Sequence, residues 1–324
     1  VCSSDLTLAL MRKFFALLAA MAIAACASSD DRQPEPAVAT APAELVTAFG
    51  PGSLIIPMDT TYQDAGTLRA FGLVYRLLQN NVPVHWVVLT GKANQGIDFT
   101  IAAPSTVRTR TALGAGVAVA VPASYRGGPF VIDAADAAAA LPIIAAWKAT
   151  EPVTTPTVVH ELTAGSFSAD VQRTLTAAPK VGVFQDGAEA IAYADLNAAG
   201  IPDSTGAAWA AGSADELSEA ELRGPTGDGN TGGSGADGVL NAGGTQNYCH
   251  ITSMHWDGSP NGAAVTNEVV REVRTWLDSS TNTHGFMQCA AIRTFENSPR
   301  GRFITTAGIV EDTNNTLPEA GQSL

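Results

Sequence analysis

From Ser53 onward, apolar runs of strand length alternate with stretches whose apolar residues recur at helical spacing. No other feature narrows the possible folds so far, because strand, helix and strand in succession is the unit from which parallel sheets are built. SLIIPMD (53–59) reads as a buried strand, followed by a helix from Thr67 whose Leu68, Phe71, Tyr75 and Leu78 face the sheet, then by the strand VPVHWVVL (82–89). GPFVID and AADAAAALPIIAAWKA repeat the step over 128–149, with Pro142 expected to kink or interrupt the helix. TVVHEL (157–162) and KVGVF (180–184) read as strands separated by a helix near 168–177. Asp186 then caps the next helix, with Glu189 placed to return the bond. Farther on, YCHITSM (248–254), a helix over 267–278, GFMQC, AAIRTFEN and RFITTAGI continue the alternation. The expectation is an α/β fold with a three-layer, mostly parallel sheet.

Two stretches depart from the alternation. Residues 98–126 have strand character broken by Gly and Pro, and read as a strand-rich insertion or antiparallel excursion. Residues 201–247 are rich in Gly, Asp, Ser and Thr and read as a long loop with one short acidic helix at 215–222. The expected organisation is an N-terminal α/β half at 47–178, a C-terminal half at 179–312 and a loose tail at 313–324. The halves form one domain or two.

Ahead of these, Arg12 and Lys13 precede an apolar run from Phe14 to Ile23, and Ile23-Ala24-Ala25-Cys26 follows. A basic head, a short apolar run and small residues before a cysteine resemble a bacterial lipoprotein signal peptide, in which Cys26 takes the lipid. The run is shorter than the roughly 18–20 residues needed to cross a bilayer. The resemblance implies a lipid-anchored envelope protein that meets the membrane through Cys26, with Ala27 fitting outer-membrane sorting. Residues 27–44, rich in Pro, Ala and acid, read as a flexible tether. VCSSDL at the start reads as translated sequencing adapter, so residues 1–10 are set aside and a start at Met11 is expected.

Composition excludes some functions. The 324 residues carry a formal charge of −13 and contain no basic stripe, so no nucleic-acid partner is expected. With 46% hydrophobic and 15% charged residues the chain is globular. The expected partners are a small molecule or an envelope protein. If Cys2 is set aside and Cys26 is lipidated, Cys249 and Cys289 remain, and an oxidising compartment invites a disulfide between them. Their places in neighbouring parallel strands argue the other way, since Cys249 begins its strand and Cys289 ends its own.

The sharpest local constellation is a strand, Cys289 and a helix, where GFMQC meets AAIRTFEN. A cysteine there sits at the carboxyl end of a strand and at a helix N-terminus, where the dipole favours thiolate. The order KVGVF, helix, AAGIPDS, YCHITSMHW, helix, GFMQC, helix, RFITTAGI over 180–309 resembles the class I glutamine-amidotransferase-like superfamily. That resemblance implies a flavodoxin-like fold and a nucleophilic cysteine at Cys289. The family's glycine-flanked elbow is replaced by Gln288 and Ala290, and no histidine follows Cys289, so its downstream base has no counterpart.

His255, just beyond YCHITSM, is the substitute base, with Glu296 or Asp257 as a further acid. Asp59 and Asp186, each following a strand, are further pocket candidates. GGSGADGVL (232–240) matches one repeat of a Ca²⁺-binding nonapeptide, making Asp228, Asn230 and Asp237 candidate ligands; a solvated loop is the alternative, and no cofactor is otherwise expected. Three readings follow: a ligand- or partner-binding envelope lipoprotein without glutaminase chemistry, a cysteine-dependent hydrolase using Cys289 and His255, or a surface adhesive protein.

Overall fold

The structure is a computed structural model that describes residues 45–111, 114–224, 237–241, 246–258, 262–279, 282–298 and 301–303. The chain divides into two compact units, Val1–Pro179 with Ala198–Ile201, and Lys180–Asn197 with Pro202–Leu324.

In the first unit the elements run β1 (Leu45–Phe49), β2 (Leu54–Ile56), α1 (Thr67–Gln79), β3 (Val84–Val87), β4 (Ile97–Ile101), β5 (Thr106–Thr111) and β6 (Gly114–Val119). They continue with β7 (Ala123–Arg126), β8 (Phe130–Ile132), α2 (Ala137–Thr150), β9 (His160–Ala164) and β10 (Phe167–Leu175). Eight strands form one sheet in the order β1-β10-β3-β8-β2-β9-β5-β6, and β4 pairs with β7 as a separate ribbon. Every pairing in both is antiparallel.

This overturns the expected mostly parallel, three-layer flavodoxin-like sheet, and the reason lies in how two local units interleave. β2-α1-β3 and β8-α2-β9 are both strand-helix-strand units, as their sequences indicate. The two strands of each unit point the same way but are not neighbours: β8 lies between β2 and β3, and β2 lies between β8 and β9. Each unit is a split β-α-β whose gap is filled by an antiparallel strand of the other. The helix that would have joined adjacent parallel strands instead spans one strand more.

Strand periodicity then builds two cores. Leu54, Ile56, Phe130 and Ile132 pack with Phe71, Leu73 and Leu77 of α1 and Ile144 and Trp147 of α2. The intervening Ile55 and Val131 point to the opposite face, where Phe99 and Tyr125 of the ribbon cover them together with Phe49 and Phe167. α2 runs uninterrupted through Pro142, with Ala140, Ile144 and Trp147 buried in the core.

The helix expected near 168–177 is instead strand β10, whose Phe167, Ala169 and Val171 alternate into the second core. Gly165 and Ser166 alone join β9 to β10, a reach of about 10 Å. A flat sheet would hold those strands about 19 Å apart, four strand spacings, so the sheet curls around the second core. Within that core the Tyr125 hydroxyl lies 2.9 Å from Nδ1 of buried His160, and burial pushes the imidazole down to about 4.

In the second unit β11 (Val181–Phe184), α3 (Glu189–Ala199), β12 (Glu216–Leu217), α4 (Glu219–Arg223), β13 (His250–Ser253), α5 (Ala263–Asp278), β14 (His284–Met287) and α6 (Ala290–Asn297) follow in turn. The four strands form a sheet in the order β12-β11-β13-β14 with every pairing parallel. One face packs Phe184 and Ile251 against Val269, Val273 and Trp276 of α5 and Phe295 of α6. The other packs Val181 and Val183 against Ala192 and Tyr193 of α3. Parallel pairing is thus real but confined to this smaller sheet.

At the entry to α1, a Cβ on buried Gly66 would lie 2.1 Å from the carbonyl oxygen of Pro156. That carbonyl cannot retreat easily, because the Gln63 side chain bonds both the N–H (2.8 Å) and the carbonyl (2.7 Å) of Val158 nearby. The backbone conformation at Gly66 suits any residue, so the clash alone decides the outcome. Gly66→Ala is expected to cost about 1–3 kcal/mol, read as a lowered urea midpoint.

Candidate functional site

The carboxyl edge of the parallel sheet carries three of the residues singled out from the sequence. The chain leaves β11 for β12 on one side and later returns to β13 on the other. The ends of β11 and β13 therefore flank a topological switch point, the place where open α/β sheets bind ligands. Asp186 follows β11, His255 follows β13 and Cys289 follows β14.

Asp186 organises this edge. Its Oδ2 accepts hydrogen bonds from Ser253 Oγ (2.8 Å), Met254 N (2.6 Å) and His255 N (2.7 Å). Its Oδ1 accepts from Ala188 N (2.9 Å), while Asp186 N donates to Glu189 Oε2 (3.2 Å). At the start of α3 the Glu189 side chain returns the bond as the capping expectation has it, while the Asp186 side chain accepts from Ala188 N rather than from Glu189 N. The bonds to the turn after β13 do not arise from capping, and they fix the turn that carries His255.

Cys289 stands at the junction of β14 and α6 with φ 53° and ψ −125°. A non-glycine residue in this sparsely populated region costs roughly 1–3 kcal/mol, and such residues concentrate at functional sites. The junction matches the expected sharp strand-to-helix turn, although Gln288 and Ala290 rather than glycines flank it. Cys289 is exposed, and among the described residues its sulfur forms no disulfide.

Strand register brings Cys289 and His255 to one edge. Ser253 pairs with Met287, and Gln288 N donates to Ser253 O at 3.0 Å, so each residue lies two positions past a paired partner. The same register separates the cysteines. Cys249 precedes the His250–His284 pair while Cys289 follows the Ser253–Met287 pair, which places them at opposite ends of the sheet. The separation is on the order of 15–20 Å, well beyond the roughly 7 Å that a disulfide tolerates between Cα atoms. Of the two alternatives the sequence leaves open for Cys249 and Cys289, this register does not fit a disulfide between them.

No protein family, curated protein or solved structure matches this chain.

The other candidates fall elsewhere. Glu296 is buried near the C-terminal end of α6, about 10 Å along the helix from Cys289. Asp257 lies nearer in the chain to the site and pairs with Arg293 of α6 at 3.3 Å. Asp59 belongs to the first unit, where its carboxylate accepts from Thr61 N (2.8 Å) and Arg126 N (3.1 Å) and ties the end of β2 to β7. Cys26, Asp228 and Asn230 lie outside the described residues. Among the described residues no group of three or more His, Cys, Asp or Glu is arranged to hold a metal ion, and no helix is long and apolar enough to cross a membrane.

Asp237 precedes Gly238, whose N–H donates to Glu272 Oε2 of α5 at 3.2 Å. Glu272 is fully enclosed, and burial pushes its carboxyl up to about 7, with Asp237 and Glu268 adding to the rise against Arg271.

Sequence reasoning missed Ser253 and Arg293, and it read Asp186 only as a cap or pocket acid. Nothing in the local sequence shows that one carboxylate reaches residues 67–69 positions away.

Asp186→Ala leaves the Met254 and His255 amides and the Ser253 hydroxyl without their charged acceptor. The expected cost is about 2–3 kcal/mol in urea unfolding, with faster amide hydrogen exchange at Met254 and His255. Glu272 also makes stability depend on pH. Its folded value lies above the unfolded one, so its contribution is full below pH 4.5 and lost as the pH rises to about 7. Stability is expected to fall by about 3 kcal/mol across that window relative to Glu272→Gln, which removes the dependence.

Proposed function

We propose that the protein is a cysteine-dependent hydrolase of the cell envelope, with Cys289 as nucleophile and His255 as general base. The observation that carries this reading is the backbone of Cys289, held at φ 53° and ψ −125° between β14 and the first turn of α6 with its thiol exposed. Strain of this kind has no packing benefit at an exposed residue, whereas it presents a side chain outward from the sheet edge. Amides at the start of α6 favour thiolate at that position. The envelope assignment rests on the signal-like pattern of Met11–Cys26.

In the reaction, the Cys289 thiolate adds to the carbonyl carbon of an amide or ester. The C–S bond forms as the C–N or C–O bond breaks, and His255 passes the thiol proton to the departing amine or alcohol. Water, deprotonated by His255, then cleaves the thioester, releasing the acid and restoring the thiol. Asp186 touches no reacting atom in this scheme; it is a positioning residue for the turn that holds His255.

The test is alkylation by iodoacetamide at pH 7, with the modified peptide identified by mass spectrometry. Cys289 is expected to react about tenfold faster than free cysteine, and His255→Ala to remove most of that gain. Reaction no faster than free cysteine, or indifference to His255→Ala, overturns the hydrolase and leaves a binding protein without catalysis.

A further inference from the structure

We infer that Arg293 reads a carboxylate on the substrate and that Asp257 is the counter-ion this carboxylate displaces. The site then takes amides or esters that carry a carboxylate close to the scissile carbonyl. The inference rests on Cys289 being the nucleophile.

Arg293 lies four residues beyond Cys289, one turn into α6. Helical side chains tilt toward the N-terminus, and long ones lie back over the preceding turn, so the Arg293 stem is directed toward the junction that holds Cys289. Its Nη2 lies 3.3 Å from Asp257 Oδ2, and Asp257 stands two residues beyond His255. The ion pair thus spans the same two segments, the start of α6 and the turn after β13, that carry nucleophile and base. A second contact joins these segments, from Gly258 N to Thr294 Oγ1 at 3.4 Å.

Exposure and position together set this pair apart from other cations of the unit. Arg274 and Asp278, 42% and 72% exposed, are open to water as well, but they lie toward the C-terminal end of α5, which leads to the start of β14 at the opposite edge of the sheet. Arg223 and Arg271 face Glu268 and Glu272, whose side chains are 2% and 0% exposed. Those carboxylates cannot leave for water without opening the core. Lys180 faces the 1% exposed Asp215 and precedes β11, at the opposite end of the sheet. Arg293 and Asp257 are each 37% exposed. A pair so open to water is weak, while a guanidinium fork can bind an incoming carboxylate in bidentate fashion. In a chain of formal charge −13, such a local cation offsets the repulsion an anionic substrate meets.

The experiment compares alkylation of Cys289 by iodoacetate and iodoacetamide, which deliver similar carbon centres with and without a carboxylate. Rates are taken at pH 7 and low salt on the full chain, and the quantity compared is the iodoacetate-to-iodoacetamide ratio, so that any general change in thiol reactivity cancels. Arg293→Gln is expected to lower this ratio about fivefold, and Asp257→Asn, which removes the competing carboxylate, to raise it by a similar factor. Asp257→Asn keeps the side-chain shape and stands as an independent arm should Arg293→Gln fail to fold. A ratio unchanged in the variants that fold overturns the substrate assignment and leaves the hydrolase reading intact. A wild-type Cys289 that reacts with neither reagent overturns both.

Discussion

One carboxylate oxygen, Oδ2 of Asp186, holds the end of β11 to the turn after β13 through Ser253, Met254 and His255. Open parallel sheets diverge at a switch point, and loops there have no strand pairing to define them. A charged acceptor that takes three short hydrogen bonds supplies that definition, because each such bond is stronger than a neutral one. The place of His255 relative to β14, and hence to Cys289, depends on this tie. The Asp257–Arg293 pair and the Gly258–Thr294 contact continue it into α6. The edge of the smaller sheet is therefore a connected set of polar links, with a strained cysteine at one end.

The larger unit is held by different means. Its sheet is apolar on both faces, with α1 and α2 covering one and the β4–β7 ribbon the other. Polar groups inside it are structural brackets: Gln63 mimics a strand partner for Val158, and Asp98 accepts from Leu89 N, Gly128 N and Lys92. His160 is kept neutral by burial beside Tyr125. These groups hold loops against the sheet, in contrast with the exposed thiol and half-exposed ion pair of the smaller unit.

Legibility followed the range of the interactions. The stripe on α1 was readable because Phe71, Tyr75 and Leu78 recur at the helical period, and all three are buried. The junction at Cys289 was readable because a strand pattern meets a helix pattern there. β10 was misread as a helix because its Phe167, Ala169 and Val171 alternate within a polar stretch, and only pairing with β1 and β3 makes that alternation decisive. Arg293 looked like an ordinary helix-surface residue until the turn after β13 brought Asp257 within 3.3 Å.

Local structure was legible in the residues alone: where strand-helix-strand units lie, that Cys289 stands between a strand and a helix, and that the Glu189 side chain accepts from Asp186 N at a helix start. Short-range periodicity and capping suffice for these, since each depends on residues a few positions apart. Which strands are neighbours emerged only from contacts between distant segments. A strand-helix-strand unit states direction but not adjacency, so interleaving made the larger sheet antiparallel while the smaller stayed parallel. Adjacency in turn separated Cys249 from Cys289 and brought His255 and Cys289 to the same edge, because register along paired strands is fixed by contacts between distant segments.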